Sequence, residues 1–595
     1  MLGPIFIREW LTTPRRPRHF LTRGLALGAM WVLLLTIWQT TVGWQRPPTL
    51  GDQARFGLLA FQVVVGLQLC LLLFFTALSA AGAIAQEKDR RTFLLLLMTD
   101  LRNGEIVLGK ALGSLLQIGV FLFSTTPILM LLMLLGGVAP FQVGEAYAVL
   151  TTTALAAGSL GGLIALWRDK TFQSLALTVL VLVFYLCLAR GLGLLPHLFA
   201  VDPRTVAFLQ DRLDPFRALA NVVDPPTMAT SFLAQPTVGY ALAMAGLAGL
   251  LTLWGVWRLR VWNPSGEPIM QREGPDSGTM DVGERAKAHA APGAVRKVWD
   301  NPISWREIAT RAYGRRPLLI KLAYGVVLAL ILYATLGAAE AQSWAAARGL
   351  VPIAVLSFLL ISAQSVTAIT SERDLGAFDL LMVTDLSPRE FIFGKIWGVL
   401  YNTKEYVIPP LALILVYLAR GELSTPATVG RSVLPGLLML IACMTLMAFT
   451  VTLGLHVALR AETSRLAISH SLGTVFFLSV GTLLCIYLIL INGQFEFQWL
   501  SFSAFIVLGV GGLWWVLCGD KPSAALTLAS WLCPFAVFYT VTSVLIGKPG
   551  GVESADPVWP FVVTAGAFGF ATAAMLVPLL SEFDVAIGRT SVGGD

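Results

Sequence analysis

Charged side chains are scarce in this chain of 595 residues. Only 13% of its residues are Asp, Glu, Lys or Arg, whereas about a quarter is usual in a water-soluble domain. Histidine occurs five times and cysteine six times, and no two cysteines have the Cys-x-x-Cys spacing of a zinc or redox site. These scarcities argue against a soluble globular protein and against a metal site, because neither a charged surface nor a ligand cluster is present in the sequence.

Long apolar runs occupy most of the sequence instead. Each run holds about 20 residues, which is enough for a helix to cross the hydrocarbon core of a bilayer. The pattern therefore predicts an all-α polytopic membrane protein with about 12 to 14 transmembrane helices. The predicted spans lie near residues 24–44, 57–85, 111–135, 146–167, 172–194 and 238–260, and then near 319–338, 350–371, 396–419, 433–458, 467–491, 498–517, 524–546 and 558–580.

Lysine and arginine are distributed unevenly between the loops. If the N-terminus lies in the cytosol and the spans alternate in direction, most of the 42 Lys and Arg residues fall on cytosolic segments. This bias predicts a multi-pass protein of a bacterial-type cytoplasmic (inner) membrane, with both termini in the cytosol. It also explains the net charge of +7, so we expect contact with membrane lipid and none with nucleic acid.

One polar segment occurs twice, 285 residues apart. The first copy runs from Glu87 to Lys110 and the second from Glu372 to Lys395, and 11 of the 24 aligned positions are identical. The identical pairs include Glu87/Glu372, Asp89/Asp374, Phe93/Phe378, Glu105/Glu390, Gly109/Gly394 and Lys110/Lys395. Both copies lie between the second and third predicted spans of a half, which indicates an internal repeat with a shared role. We predict that the leading charges and the apolar stretch of each copy form a short amphipathic helix at the cytosolic surface, which ends at the Thr-Asp-Leu of residues 99–101 or 384–386. The final Gly-Lys pair then enters the next span, and its lysine snorkels to the interface.

A second repeat precedes the first span of each half. The segment GPIFIREW at the N-terminus is similar to NPISWREI at 301–308, so that Arg8 and Glu9 correspond to Arg306 and Glu307. Such segments are typical of short helices in the headgroup zone. We therefore predict two parallel six-span repeats: residues 1–261 (the first half), a flexible cytosolic linker at 262–297, and residues 298–595 (the second half), which carry extra C-terminal apolar segments.

A glycine-rich segment in the first copy resembles a phosphate-binding loop. Residues 104–110 fit the pattern G-x-x-x-x-G-K, but Ala111 stands where the loop needs a Ser or Thr hydroxyl for magnesium. The second copy has Arg389 in place of the first glycine. The chain is therefore not expected to bind nucleotide itself.

Taken together, the two repeats resemble the ABC type-2 export permeases. In that family the polar segment after the second span is a coupling helix that rests on an ATPase subunit, and the Pro-Ile-x-x-Arg-Glu opening is an interfacial helix. The resemblance implies a non-enzymatic permease that exports an unknown substrate, with two copies of a separate ABC ATPase binding ATP and Mg²⁺ and no cofactor on this chain. The ATPase contacts it implies are Glu87, Lys88, Asp89, Arg90, Arg91, Phe93, Glu372, Arg373, Asp374 and Phe378.

Two charges inside a predicted span remain ambiguous. Lys404 and Glu405 are adjacent in the third span of the second half, where charge is costly unless it is functional or paired. They could line a substrate path, or they could pair with neighbouring helices near the interface. An ion-coupled secondary transporter built from parallel repeats is an alternative function. A membrane-embedded lipid-modifying enzyme is a weaker one, because the sequence has no HExxH, GxSxG or paired acidic motif in a span.

Overall fold

The chain folds into a bundle of long helices. The computed structural model of the protein describes residues 3–12, 17–43, 47–168, 171–198, 201–225, 235–263, 298–309, 317–336, 345–374, 386–420, 433–492, 499–518, 523–546 and 558–581. These ranges contain helices and no strand. Eleven helices among them are long and apolar enough to cross a membrane, and two shorter apolar helices, Ile320–Thr335 and Ile506–Cys518, accompany them. The predicted all-α polytopic membrane fold is confirmed.

The first half begins with a short helix and continues with long ones. Its helices are α1 (Pro4–Thr12), α2 (Pro17–Thr41), α3 (Leu50–Asp89), α4 (Thr92–Leu97), α5 (Asn103–Ser124), α6 (Thr126–Leu135), α7 (Pro140–Trp167), α8 (Thr171–Gly191), α9 (Leu195–Leu198), α10 (Pro203–Leu213), α11 (Pro215–Val223) and α12 (Pro236–Trp262). The six predicted spans correspond to α2, α3, α5 with α6, α7, α8 and α12.

The second half repeats this order and then adds to it. Its helices are α13 (Pro302–Ala309), α14 (Pro317–Leu336), α15 (Ala345–Asp374), α16 (Pro388–Asn402), α17 (Lys404–Ala419), α18 (Val433–Arg460), α19 (Ser464–Asn492), α20 (Trp499–Cys518), α21 (Ala524–Ile546) and α22 (Val558–Ser581). The predicted linker lies almost wholly outside the described residues, as do the chain termini.

The predicted third span of each half is broken at a buried threonine, and in the second half its two helices, of 15 and 16 residues, are not among the eleven. Thr125 separates α5 from α6, and Thr403 separates α16 from α17. In both places the threonine hydroxyl donates to a carbonyl of the preceding turn, that of Leu122 or Val399. Pro127 is the second residue of α6, where a missing backbone donor is tolerated, whereas Pro409 and Pro410 lie inside α17, six and seven residues beyond Thr403.

The extra segments of the second half form two single helices. Helices α20 and α21 lie between α19 and α22, at the place where the described residues of the first half form the short helices α9 to α11. They pack on each other, and α20 also packs on α2 of the first half. At 1.5 Å per residue each is about 30 Å long or slightly more, the thickness of a hydrocarbon core.

The halves meet through helices that occupy corresponding positions. Helix α8 packs on α14, α15 and α19, while α2 packs on α19 and α20. The rings of Phe74 on α3 and Phe476 on α19 are stacked, with centroids 3.9 Å apart. We call the end of the bundle at which α3 ends and α5 begins the motif end. Close to this end, the Arg465 guanidinium donates a hydrogen bond of 2.7 Å to the side-chain oxygen of Gln86.

Candidate functional site

The first motif copy is divided among three helices rather than forming one. Residues Glu87 to Asp89 are the last turn of α3, and the chain then turns at Arg91, whose φ of 59° lies in the left-handed region. Helix α4 follows, and α5 begins at Asn103. The prediction that the charges lie on the short helix is therefore wrong, because the span helix continues past the apolar stretch and carries them with it.

A buried ion pair links the two ends of each motif copy. Lys110 pairs with Glu87, and in the second copy Lys395 Nζ lies 2.6 Å from Glu372 Oε1. Each pair joins the end of the second span to the start of the third. The repeated glutamate and lysine are therefore retained as partners of each other.

The second half extends this pair into a cluster. Lys395 Nζ also lies 2.6 Å from Glu307 Oε1 on α13, the predicted interfacial helix, and Arg306 of that helix pairs with Glu372. The Lys395 side chain is 0% exposed, so the predicted snorkelling is wrong: two carboxylates hold the ammonium inside. In the first half the equivalent Glu9 is paired with its neighbour Arg8 at the surface. The two copies are thus electrostatically unequal.

The predicted interfacial helices, α1 and α13, pack against glycines of the predicted third spans. Helix α1 packs on α5, and α13 packs on α16. A methyl group at Gly109 would lie 3.1 Å from Ile5 Cβ, and one at Gly398 only 2.5 Å from Glu307 Cβ. Small residues spaced four apart permit this close approach of helices. The second glycine of each pair, Gly113 and Gly398, lies three positions beyond the aligned motif, so extending that alignment would have found it.

The basic residue after the repeated glutamate caps the fourth span. Lys88 Nζ donates to the carbonyls of Leu166 (2.6 Å) and Arg168 (2.9 Å) where α7 ends. Arg373 makes the corresponding bonds to the carbonyls of Ala458 (3.2 Å) and Ala461 (2.6 Å), where α18 ends. A cation at this position satisfies free carbonyls and opposes the negative end of the helix dipole.

The second repeated glutamate begins the third span. The carboxylate of Glu105 accepts from the backbone N–H of Arg102 (3.1 Å), and that of Glu390 accepts from the N–H of Ser387 (3.0 Å). Bonds from the Ser387 hydroxyl and N–H lower the pKa of Glu390, since they favour the charged carboxylate. Each glutamate is the third residue of its helix and accepts a hydrogen bond from the backbone N–H of the N-cap residue, as in a capping box.

Most of the charges assigned to an ATPase contact therefore have partners within the chain. Asp89 accepts a hydrogen bond from Thr171 at the start of α8. Asp89 therefore links two helices, and so do four other residues of the motif copies: Glu87, Lys88, Glu372 and Arg373. Arg90 and Arg91 are exposed. The side chain of Asp374 and all of Phe378 lie outside the described residues.

The surface of α4 differs from the predicted one. Phe93 is only 3% exposed, and its ring lies 5.7 Å from Lys88 Nζ, within reach of a cation–π contact. Leu95 and Met98, by contrast, are 64% and 68% exposed. These two residues were not predicted as contacts, because an apolar run of six residues does not indicate which side of the helix faces the bundle.

The charges at the start of α17 have local partners. Glu405 Oε1 lies 2.9 Å from Lys321 Nζ, and Lys321 belongs to the second turn of α14. Lys404 lies over the ring of Tyr401, 4.2 Å from its centroid. Of the two interpretations left open, pairing with a neighbouring helix is the one that this geometry favours.

Comparison with known proteins supports the resemblance. Residues 45–260 match the family model described as ABC-2 family transporter protein. No curated protein and no solved structure matches the chain. The matched range contains the first motif copy and five of the six spans of the first half, and it begins after the first span, α2, has ended. The match supports the interpretation of this chain as the membrane subunit of an ABC transporter.

Proposed function

We propose, from the ABC-2 transporter family match over residues 45–260, that this chain is the permease of an ATP-driven exporter and that a separate ATPase subunit contacts it at α4. The motif end is then the cytosolic end, and ATP and Mg²⁺ are bound by the partner. Two ATPase copies would meet the two motif copies, the second of which continues through residues 375–385, outside the described range.

The observation that carries this proposal is the surface of α4. Leu95 and Met98 are exposed apolar side chains, and Arg90 and Arg91, which precede them in the chain, are exposed cations. An apolar centre rimmed by charge is typical of a surface that another protein covers. The position at the motif end, beyond the last turn of α3, suits a partner in the cytosol.

The anchoring of α4 supports a coupling role. Its inner face holds Phe93 and Leu97, both buried, and the preceding turn is tied to α5 by Glu87 and to α7 by Lys88. A force applied to α4 would therefore move several spans together rather than bend a loop. Such rigid attachment to helices that can repack is what a conformational switch requires.

Affinity purification in mild detergent tests the proposal. The chain should retain an ABC ATPase, and Leu95→Glu with Met98→Glu should release it, because two charges would replace the apolar centre. Leu50→Glu is a matched control: Leu50 is 85% exposed, at the first residue of α3 and so at the opposite end of that helix. Retention of the ATPase by the double variant, or its loss from the control, would contradict the assigned contact.

A further inference from the structure

An apolar cavity lies beside α20 and α21, the additional helices of the second half. It has a volume of about 250 Å³ and lies between α2, α3, α19, α20 and α21. Its lining includes Met30, Leu71, Phe75, Phe476, Gly481 and Val510. Both halves contribute to it, together with the additional helices.

The cavity lies at the depth of the membrane interior. Phe476 comes 12 residues after Ser464, the first residue of α19, and is therefore about 18 Å along that helix at 1.5 Å per residue. Leu71 is likewise near the middle of the 40-residue helix α3. A ligand at this depth enters from the hydrocarbon core, which is about 30 Å thick.

The wall offers almost nothing to a polar ligand. Thr482 and Cys485 are polar exceptions, and the Thr482 hydroxyl already donates to the carbonyl of Leu478 over 2.6 Å. A dry apolar cavity excludes water and favours an apolar occupant. Its volume is below the range of about 300 to 1,000 Å³ typical of pockets for drug-sized molecules, so a single flexible chain suits it better than a fused ring system.

The additional helices α20 and α21 explain why the cavity is found next to the second half. Helix α20 packs on α2, and residues of α20 and α21, such as Val510 and Phe538, close the space that α2 and α19 leave. The described part of the first half has no such pair of long helices between α8 and α12. Phe75 and Phe477 line the cavity and are still partly exposed, so the cavity is not sealed.

We propose that this cavity binds one hydrocarbon chain of an amphiphile, and that the cargo of the transporter is an amphiphile with such a tail. The second statement rests on the proposed function and narrows its cargo to one chemical class. The chain could belong to a resident membrane lipid or to the exported molecule, and the experiment separates these sources.

Photolabelling of the full-length protein tests the binding. The probe is a phosphatidylethanolamine with a diazirine midway along one acyl chain, in vesicles of phosphatidylethanolamine and phosphatidylglycerol. We expect label on α19 and α20 near Gly481 and Val510. Gly481→Leu should lower it about tenfold, the equivalent of 1.4 kcal/mol, because Gly481 belongs to the cavity wall and a Cβ there meets nothing within 4 Å, so the larger side chain would occupy cavity space.

Gly473→Leu is the matched control. Gly473 is on the same helix, also has open space at its Cβ position and does not line the cavity. Its labelling should equal that of the unsubstituted protein. Label spread over outward residues such as Leu483, with equal yield in both variants, would overturn the binding site.

The two sources respond differently to the transport cycle. With the co-purified ATPase and ATP, label in the cavity should fall if the bound chain belongs to cargo. Unchanged label under turnover would overturn the cargo assignment and leave a resident lipid. The same preparation reports ATPase capture separately, so loss of the partner would contradict the proposed function without affecting the labelling result.

Discussion

Lys395 and Glu307 are joined by a contact of 2.6 Å between Nζ and Oε1, although 88 positions separate them and both are buried. The contact fixes the interfacial helix α13 to the third span, and Glu372 adds the end of the second span to the same cation. The second motif copy thus joins α13, α15 and α16 through its buried charges. Any surface that it presents to a partner depends on these contacts.

Removal of the buried cation should destabilise the protein strongly. In Lys395→Met, Glu307 and Glu372 would keep their burial without the ammonium, and breaking such a pair costs about 3–5 kcal/mol. Lys110→Met should cost less, because Glu87 is more accessible than Glu307 and Lys110 has one carboxylate partner rather than two. Thermal unfolding in detergent checks this order. Equal melting temperatures for the two variants would contradict it.

Enlarging a glycine under the first interfacial helix should release that helix. Gly109→Leu would push on Ile5, whose Cβ lies 3.1 Å from the position of a new Cβ. We expect faster proteolysis within α1. Gly119→Leu on the same helix is the control, because nothing lies within 4 Å of its Cβ position. Similar cleavage of both variants would show that the glycines do not hold α1.

Loss of the cationic caps should loosen the ends of the fourth spans. Lys88→Met would leave the carbonyls of Leu166 and Arg168 without this donor, and a hydrogen bond to a charged group contributes about 1.5–3 kcal/mol. Hydrogen exchange of the last turn of α7 should accelerate, and Lys88→Arg should restore protection. Exchange that is as fast in Arg90→Met, where an exposed cation is lost, would argue against a capping role.

The two halves should associate without a covalent connection. Helices α2 and α8 pack on helices of the second half, and Phe74 stacks on Phe476. Residues 1–261 and 298–595, expressed together as two chains, should therefore co-purify. Phe476→Ala should weaken this by about 0.5–1.5 kcal/mol beyond the loss of apolar area. Recovery of each half alone would contradict the interface.

The sequence predicted the helices well, because they depend on local pattern. Apolar runs identified the spans, and two copies of one segment identified corresponding places in the halves. The extra pair α20 and α21 was visible as apolar sequence, but its packing on α2 was not, since that contact joins residues almost 500 positions apart.

The partners of the charged residues could not be predicted in the same way. Within each segment of sequence, the charged residues look like part of an exposed polar surface. They are Glu87, Lys88, Glu372, Arg373 and Lys395. Each finds its partner on a different helix, as Arg373 does at the end of α18. Only the three-dimensional arrangement separates these internal contacts from the exposed Leu95 and Met98.

Site-specific photocrosslinking from α4 tests the central claim most directly. A benzophenone amino acid would replace either Leu95, which is 64% exposed, or Phe93 two positions earlier, which is 3% exposed. Our account predicts a crosslink from position 95 to an ABC ATPase and crosslinks from position 93 within the chain alone. No ATPase adduct from position 95, or an equal yield from position 93, would contradict the claim that this face of α4 contacts the ATPase.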